Sequence, residues 1–345
     1  MKPFSFARGL CVSLLLMLLA VVSGGAWGGA YEATLPPDLH AAKDLCALVP
    51  CAEVFPGATS FSERKGQPPY VEAYAQDQGK KKLLGYVMLS TDITDTPAYS
   101  GKPVVTLIGM DTRGRYVGVK VLKHSEPILL LGIPEAALTN FNQQYIGKSV
   151  DQKIEVGHSR PDEGVVGVDA ISGATVTVIA QNQVMTTSGS AVARQVGIIK
   201  ATVRPQAQYA PNAPGADWAT LVKTGAVQRL VVQAEQVGLS RTGTPFIELW
   251  FGDLNHPDLG KALLGAGSWQ NLMAQLKPAE HALFIIRTQG EESFKGSGFV
   301  RGGIYDRVQV RQDMDTFTFR DTDYLNLYGI EAAGAPAFTE SAIFI

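Results

Sequence analysis

Cysteine is scarce in this chain: three in 345 residues, at Cys11, Cys46 and Cys51. None has the spacing of an iron–sulfur or zinc site. The five histidines are scattered with no His-x-x-x-His pair, so the sequence offers no ligand set for a metal. Basic runs and a helix-turn-helix pattern are also missing. With 30 Lys and Arg against 32 Asp and Glu, the net charge is −2, which argues against a nucleic-acid partner. Charged residues make up only 18% and hydrophobic ones 46%, which excludes a disordered chain. The length suffices for two domains with real cores. Beyond residue 30 no apolar run is long enough to span a bilayer.

What is present begins with an export signal. Lys2 and Arg8 precede an apolar run from 9 to about 22, and small residues fill 23–30. Residues 1–30 are therefore expected to be a signal peptide cleaved after Ala30. An uncleaved anchor is the alternative, because 9–27 is just long enough to cross a bilayer. Either way the rest of the chain is expected in the periplasm, since the basic end stays inside. Cys11 lies at the start of the apolar run rather than after it, which excludes a lipoprotein cysteine. In an oxidising compartment Cys46 and Cys51, with Pro50 between them, are expected to form a disulfide; two buried thiols are the alternative.

Hydrophobic periodicity organises the remainder. Residues 31–69 read as an N-terminal segment, helical over 37–48 and irregular after. Residues 83–91 read as a strand. Residues 103–110 and 115–123 read as a strand pair with a turn at 111–114, where Gly114 suits a positive φ. Val117, Val119 and Val121 alternate with Gly118 and Lys120, as in a half-buried strand. A short helix follows at 134–145, a strand at 164–168 and a helix over 177–197. That helix places Val178, Gln181, Met185, Ser188, Val192 and Val196 on one face. These elements give an α+β domain over 70–202, with an antiparallel sheet and flanking helices. Residues 203–216, with Pro205, Pro211 and Pro214, are the expected linker. Residues 217–345 form a second, smaller α+β unit, with strands at 227–233, 245–251, 281–288 and 308–319 and a helix over 259–276.

The stretch richest in chemistry is Asp169-Ala-Ile-Ser172-Gly173-Ala174-Thr175-Val-Thr177. Small residues there give way to the start of a helix. The Thr175 hydroxyl is thereby exposed at a helix N-terminus, where free N–H groups and the positive dipole end favour a phosphate. Such a hydroxyl suits covalent attachment of a phosphorylated cofactor. A threonine before a helix also serves as a cap. The two roles are compatible, with Thr177 capping while Thr175 carries the cofactor.

The spacing Asp-x-x-Ser-Gly-Ala-Thr resembles the sequence that carries FMN through a phosphodiester bond in RnfG/NqrC-type flavoproteins. By that resemblance Thr175 is the attachment residue, framed by Asp169, Ser172, Gly173, Ala174 and Thr177. It also implies a separate exported flavin transferase, since the chain has no nucleotide-binding loop or Mg²⁺ cluster with which to split FAD. His124-Ser-Glu126-Pro127 ends a predicted strand, and Gly132-Ile-Pro134-Glu135 follows. Beside a flavin, His124 and Glu126 could hydrogen-bond the ring or set its potential. Otherwise His124 caps a turn and Glu126 is an exposed acid.

Nearly everything after the leader resembles the NosR/NirI family of membrane flavoproteins tied to nitrous oxide reduction. The carrying residues lie at 99–103, 105–111, 120–135, 169–177, 296–306 and 319–325. Members of that family continue into transmembrane helices and a cysteine-rich polyferredoxin. This chain is accordingly expected to correspond to their exported, membrane-associated part. The resemblance implies a periplasmic flavoprotein with covalent FMN that transfers electrons in support of nitrous oxide reductase. Its implied partners are the reductase or its maturation system. A redox-sensing or maturation module regulating the reductase's expression or assembly is the alternative. The regulatory label does not imply DNA contact, because an exported domain cannot reach DNA.

Overall fold

The computed structural model describes residues 29–200, 208, 216–240, 243, 245–296, 303–312 and 315–345. The leader through residue 28 and nearly all of the expected linker lie outside the described residues.

The first unit is built on five antiparallel strands paired in chain order: β1 (Ser60–Phe61), β2 (Val71–Asp77), β3 (Lys80–Leu89), β4 (Val105–Asp111) and β5 (Tyr116–Lys123). Successive side chains on a strand face opposite sides, and here both sides are covered. On β3, Tyr86 and Met88 join one apolar cluster and Val87 and Leu89 the other. On β4, Ile108 and Met110 separate in the same way from Val105 and Leu107. Two-sided burial makes β4 read as a continuous apolar run rather than an alternation. The β4–β5 turn is the expected one. Gly114 has φ +81°, and Asp111 Oδ1 accepts from the N–H groups of Arg113 and Arg115, both at 2.8 Å.

One face of this sheet is covered by the N-terminal segment. The helix expected over 37–48 is not there; only a 3₁₀ turn at Leu45–Ala47 and a short helix α1 (Cys51–Val54) form. Leu39, Leu45, Val49, Val54 and Phe55 pack on the sheet instead, so tertiary burial decides the path of this segment. Cys46 and Cys51 are joined by a disulfide, with Cα atoms 5.3 Å apart. α1 lies directly over Gly109 and Gly118, which face each other across β4 and β5. A Cβ on either glycine would collide with the Val54 carbonyl oxygen. These two glycines make the seat of the helix.

The opposite face is covered by α2 (Glu135–Gln143) and α3 (Thr175–Gln195). Between them lie β6 (Lys153–Val156) and β7 (Val165–Val168), a parallel pair. α3 runs unbroken through its small middle. Gly189 faces Tyr116, whose buried hydroxyl donates to the Met185 carbonyl at 2.8 Å, and a Cβ at 189 would lie 2.9 Å from Tyr116 Cζ. The glycine is there for the ring.

The second unit starts with α4 (Trp218–Lys223). Its sheet contains β8 (Gln228–Gln233), β9 (Pro245–Asp253) and β10 (Leu283–Gly290). Two expectations need correction. The helix expected over 259–276 is two helices, α5 (Pro257–Leu264) and α6 (Ala266–Gln275), separated by Gly265 at φ +74°. The strand expected over 308–319 is a ribbon of two, β11 (Ile304–Gln312) and β12 (Asp315–Arg320). The short β13 (Tyr324–Leu325) and the terminal β14 (Glu340–Phe344) complete the sheet in the order β13-β14-β10-β9-β8. The helices cover one face, where Trp218, Leu259 and Leu263 pack with Phe284 of β10. The ribbon covers the other, where Tyr305 and Phe319 pack on Phe344. The ribbon's remaining face lies along α3 and β6: Arg194 bridges Asp315 at 2.7 Å and Thr318 donates to Gln183 on α3, and Arg311 pairs with Glu155 on β6. The fold class is α+β, as expected.

Candidate functional site

The site is the start of α3. The chain leaves β7 at Val168, and Gln144 clamps the next residue. Asp169 N–H donates to Gln144 Oε1 at 2.7 Å, and Gln144 Nε2 donates to the Asp169 carbonyl at 3.2 Å. The Asp169 side chain is left exposed. A tight turn follows: Ala174 N–H donates to the Ile171 carbonyl at 3.0 Å, and Gly173 takes φ +80°, a conformation that favours glycine. α3 begins at Thr175 with Ala174 as its N-cap, and no side chain caps it. The first N–H groups of the helix therefore have no intrahelical partner and face the turn.

Within this turn burial separates the two threonines. Ser172, Gly173 and Thr175 are exposed, whereas Ala174, Val176 and Thr177 are buried. Thr177 does not cap the helix, contrary to expectation. It is 1% exposed, and its hydroxyl donates to Glu126 Oε2. Nor is Glu126 an exposed acid. It is completely buried and accepts two further bonds, from Tyr99 N–H at 3.1 Å and Ser100 N–H at 2.9 Å. One carboxylate thus ties the 99–100 loop, the end of β5 and the start of α3 together. Its negative charge near the N-terminus of α3 is favoured by the helix dipole.

His124 sits behind this clamp, 1% exposed. Its Nδ1 accepts from Glu126 N–H at 3.2 Å, so the proton of the neutral ring is on Nε2. Nε2 is 3.8 Å from Glu135 Oε1, beyond hydrogen-bonding distance. Burial pushes the His124 pKa below 6.5, against the opposing pull of Glu135, Glu126 and Glu32. Tyr31 packs tilted on its ring at 5.6 Å. The Glu135 carboxylate also receives Ala30 N–H.

The structure therefore gathers Thr175, Ser172, Gly173 and Asp169 on the surface of one turn and places Thr177, Glu126 and His124 in the interior beneath it. Sequence reasoning missed three participants. The donors from Tyr99 and Ser100 are backbone groups and leave no trace in residue type. Gln144 reaches Asp169 across 25 positions, with no periodic relation to it.

Chemically, an exposed alcohol beside unpaired N–H groups fits a phosphate ester. The turn is open: a Cβ at Gly173 would meet only Ile133 Cδ1, at 3.5 Å. Among the described residues no group of His, Cys, Asp and Glu could hold a metal ion.

Residues 99–187 match the family model of the FMN-binding domain. The match begins at one of the donors to Glu126 and ends inside α3, so it encloses the whole clamp and the Thr175 turn. The protein is thus an α+β protein containing an FMN-binding domain. It is 40% identical over 313 residues to the regulatory protein NosR of Pseudomonas aeruginosa, covering 85% of this chain and 43% of that protein. Against NosR of Stutzerimonas stutzeri it is 41% identical over 313 residues, with 84% and 42% covered. The protein NirI of Paracoccus denitrificans is 26% identical over 272 residues, with 76% and 38% covered. The chain belongs to the NosR/NirI family, and it spans less than half the length of the curated relatives it matches.

Proposed function

We propose that this chain is a periplasmic flavoprotein that holds FMN through a phosphodiester bond to Thr175 and passes electrons in support of nitrous oxide reductase. The observation that carries the reading is the exposed Thr175 hydroxyl on the uncapped first turn of α3, beside Gly173 in a left-handed conformation. Bound FMN supplies one- and two-electron redox chemistry. The chain's own residues hold it: Thr175 Oγ1 carries the phosphate, and the free N–H groups of the turn with the helix dipole offset its charge. Glu126 fixes the turn from beneath. A tether keeps the cofactor from diffusing away where no flavin pool replenishes it.

Attachment is made by a separate exported transferase acting on FAD. Thr175 Oγ1 bonds to the flavin-side phosphorus, the pyrophosphate P–O bond breaks, AMP leaves and the hydroxyl proton passes to solvent. Asp169, exposed and held by its backbone, is the side chain available to that transferase. Membrane association comes through the leader or the longer family architecture.

Intact mass of the chain exported from a transferase-containing host tests the reading. The wild type is expected to carry the added mass of one FMN, and Thr175→Ala to lack it while remaining folded. Loss of a polar group at the helix start costs at most about 1 kcal/mol. Flavin fluorescence that survives denaturation in Thr175→Ala would refute the assignment. The regulatory names of the relatives support a second reading, a redox-sensing or maturation module that acts on the reductase's expression or assembly. Assays on the full flavinylated chain separate the two. Electron transfer predicts that the reduced chain passes electrons to the reductase, and sensing predicts no such transfer but altered expression or assembly of the reductase.

A further inference from the structure

A cavity of about 140 Å³ lies between α3 and the ribbon of the second unit. The first unit contributes Asp95, Thr96, Pro97 and Gln183 to its walls, and the second contributes Ile304, Thr318, Arg320 and Asp323. Of these only Gln183 falls within the matched FMN-binding domain. β12 runs antiparallel to α3, as its contacts show. Asp315 meets Arg194 at the far end, Thr318 meets Gln183 in the middle, and Ile304 shares an apolar cluster with Ala174, Val176 and Ala180 at the near end. The base of the ribbon thus shares its apolar cluster with the two residues that flank Thr175. Gln183 lies eight positions after Thr175, about 12 Å along the helix axis at 1.5 Å per residue. The lining is largely polar and carries a guanidinium between two carboxylates. Arg320 Nη1 is 3.2 Å from Asp95 and Nε is 3.4 Å from Asp323. A guanidinium has five N–H donors, so these two contacts leave donors for a ligand.

We propose that the second unit is part of the flavin site: the β11–β12 ribbon walls it, and this cavity takes the carbonyl-bearing end of the isoalloxazine of an FMN held at Thr175, with Arg320 as its hydrogen-bond donor. The proposal rests on the attachment reading above. A ring in this position is shielded by the ribbon, and the Arg320 cation favours its electron-rich, reduced form. The ribbon also bridges the flavin and the second unit's sheet, since its opposite face carries Tyr305 and Phe319 against Phe344.

The test uses the full chain, flavinylated in a transferase-containing host, as wild type, Arg320→Gln and Asp315→Asn. Three quantities are read: FMN mass per chain, midpoint potential, and quenching of flavin fluorescence by iodide. Arg320→Gln is expected to keep the full FMN mass, shift the midpoint to a more negative potential and raise iodide quenching severalfold. Asp315→Asn, at the far end of the ribbon, is expected to match the wild type. A loaded Arg320→Gln chain with wild-type potential and quenching overturns the proposal and leaves the attachment reading standing. An equal shift in Asp315→Asn also overturns it, because the effect would then follow ribbon docking in general. Wild-type chain without the FMN mass overturns both readings.

Discussion

Replacing Thr177 by valine tests whether a buried carboxylate, rather than a cap, fixes the start of α3. Thr177 is 1% exposed and its hydroxyl is one of three donors to Glu126. Valine has nearly the same shape, so no cavity opens and the loss is the hydrogen bond itself. Glu126 Oε2 keeps Tyr99 N–H at 3.1 Å and is not stranded. The expected cost is that of one hydrogen bond to a charged acceptor, about 1.5–3 kcal/mol. Glu126→Gln should cost more, because an amide NH₂ then faces an N–H donor. Glu126→Ala is the extreme case. It leaves the buried Thr177 hydroxyl without its acceptor, at about 1–3 kcal/mol, frees the part-buried N–H groups of Tyr99 and Ser100, and opens a cavity. This variant is therefore expected to be the least stable of the three.

Urea unfolding is the assay, and the placement of tryptophan makes it informative. The described tryptophans, Trp218, Trp250 and Trp269, all lie in the second unit, so their fluorescence follows that unit while far-UV circular dichroism follows both. With a slope of about 1–3 kcal/mol per molar urea, Thr177→Val should lower the dichroism midpoint by about 1 M. Faster amide exchange in the first turns of α3 should accompany it. A folded Thr177→Val with the wild-type midpoint and wild-type exchange would refute the claim that this bond anchors the helix.

The strands and helices of the first unit were largely legible because their periodicity agrees with their burial. Val178, Gln181, Met185, Ser188 and Val192 are all on the buried face of α3, as the spacing implied. The reason for the small middle of that helix is not local: its partner, Tyr116, is far away in sequence. Failures came where long-range packing overrides local preference. Residues 37–48 have helical composition, yet Leu39 and Leu45 are drawn onto the sheet and no helix forms there. The apolar stretch 342–345 finds its neighbour in β10, about sixty positions earlier, and Phe344 is the ring on which the ribbon packs. At the site, the exposed Thr175 could be read from the small residues before it. The burial of Glu126 could not, because its partners are two backbone N–H groups and a hydroxyl 51 residues on.

Three further predictions follow from buried contacts. Cys46→Ser with Cys51→Ser should lower stability by about 2 kcal/mol, from the entropy of so short a loop. Flavin loading and potential should not change, and a marked potential shift would show the pair to be part of the redox chemistry. Gly118→Ala should cost about 1–3 kcal/mol by overpacking, because the new Cβ would lie 2.6 Å from Val54 Cα and push α1 off its seat. A thermal midpoint equal to wild type would disprove that seat. The last prediction concerns pH. His124 is buried and its pKa is held below 6.5 by that burial, so as pH falls the unfolded chain takes up the proton first. Its contribution to stability is therefore complete above about 6.5 and is lost as pH falls through the lower, folded value. Structurally, a proton on Nδ1 would confront Glu126 N–H with a second donor and break the 3.2 Å bond that backs the clamp. His124→Asn supplies an amide oxygen in place of Nδ1 and has no proton to gain. Urea midpoints at about pH 7.5 and about pH 5 should fall further in the wild type than in His124→Asn, the carboxylate contributions being common to both. Equal falls in the two proteins would mean that the clamp does not feel the charge on His124.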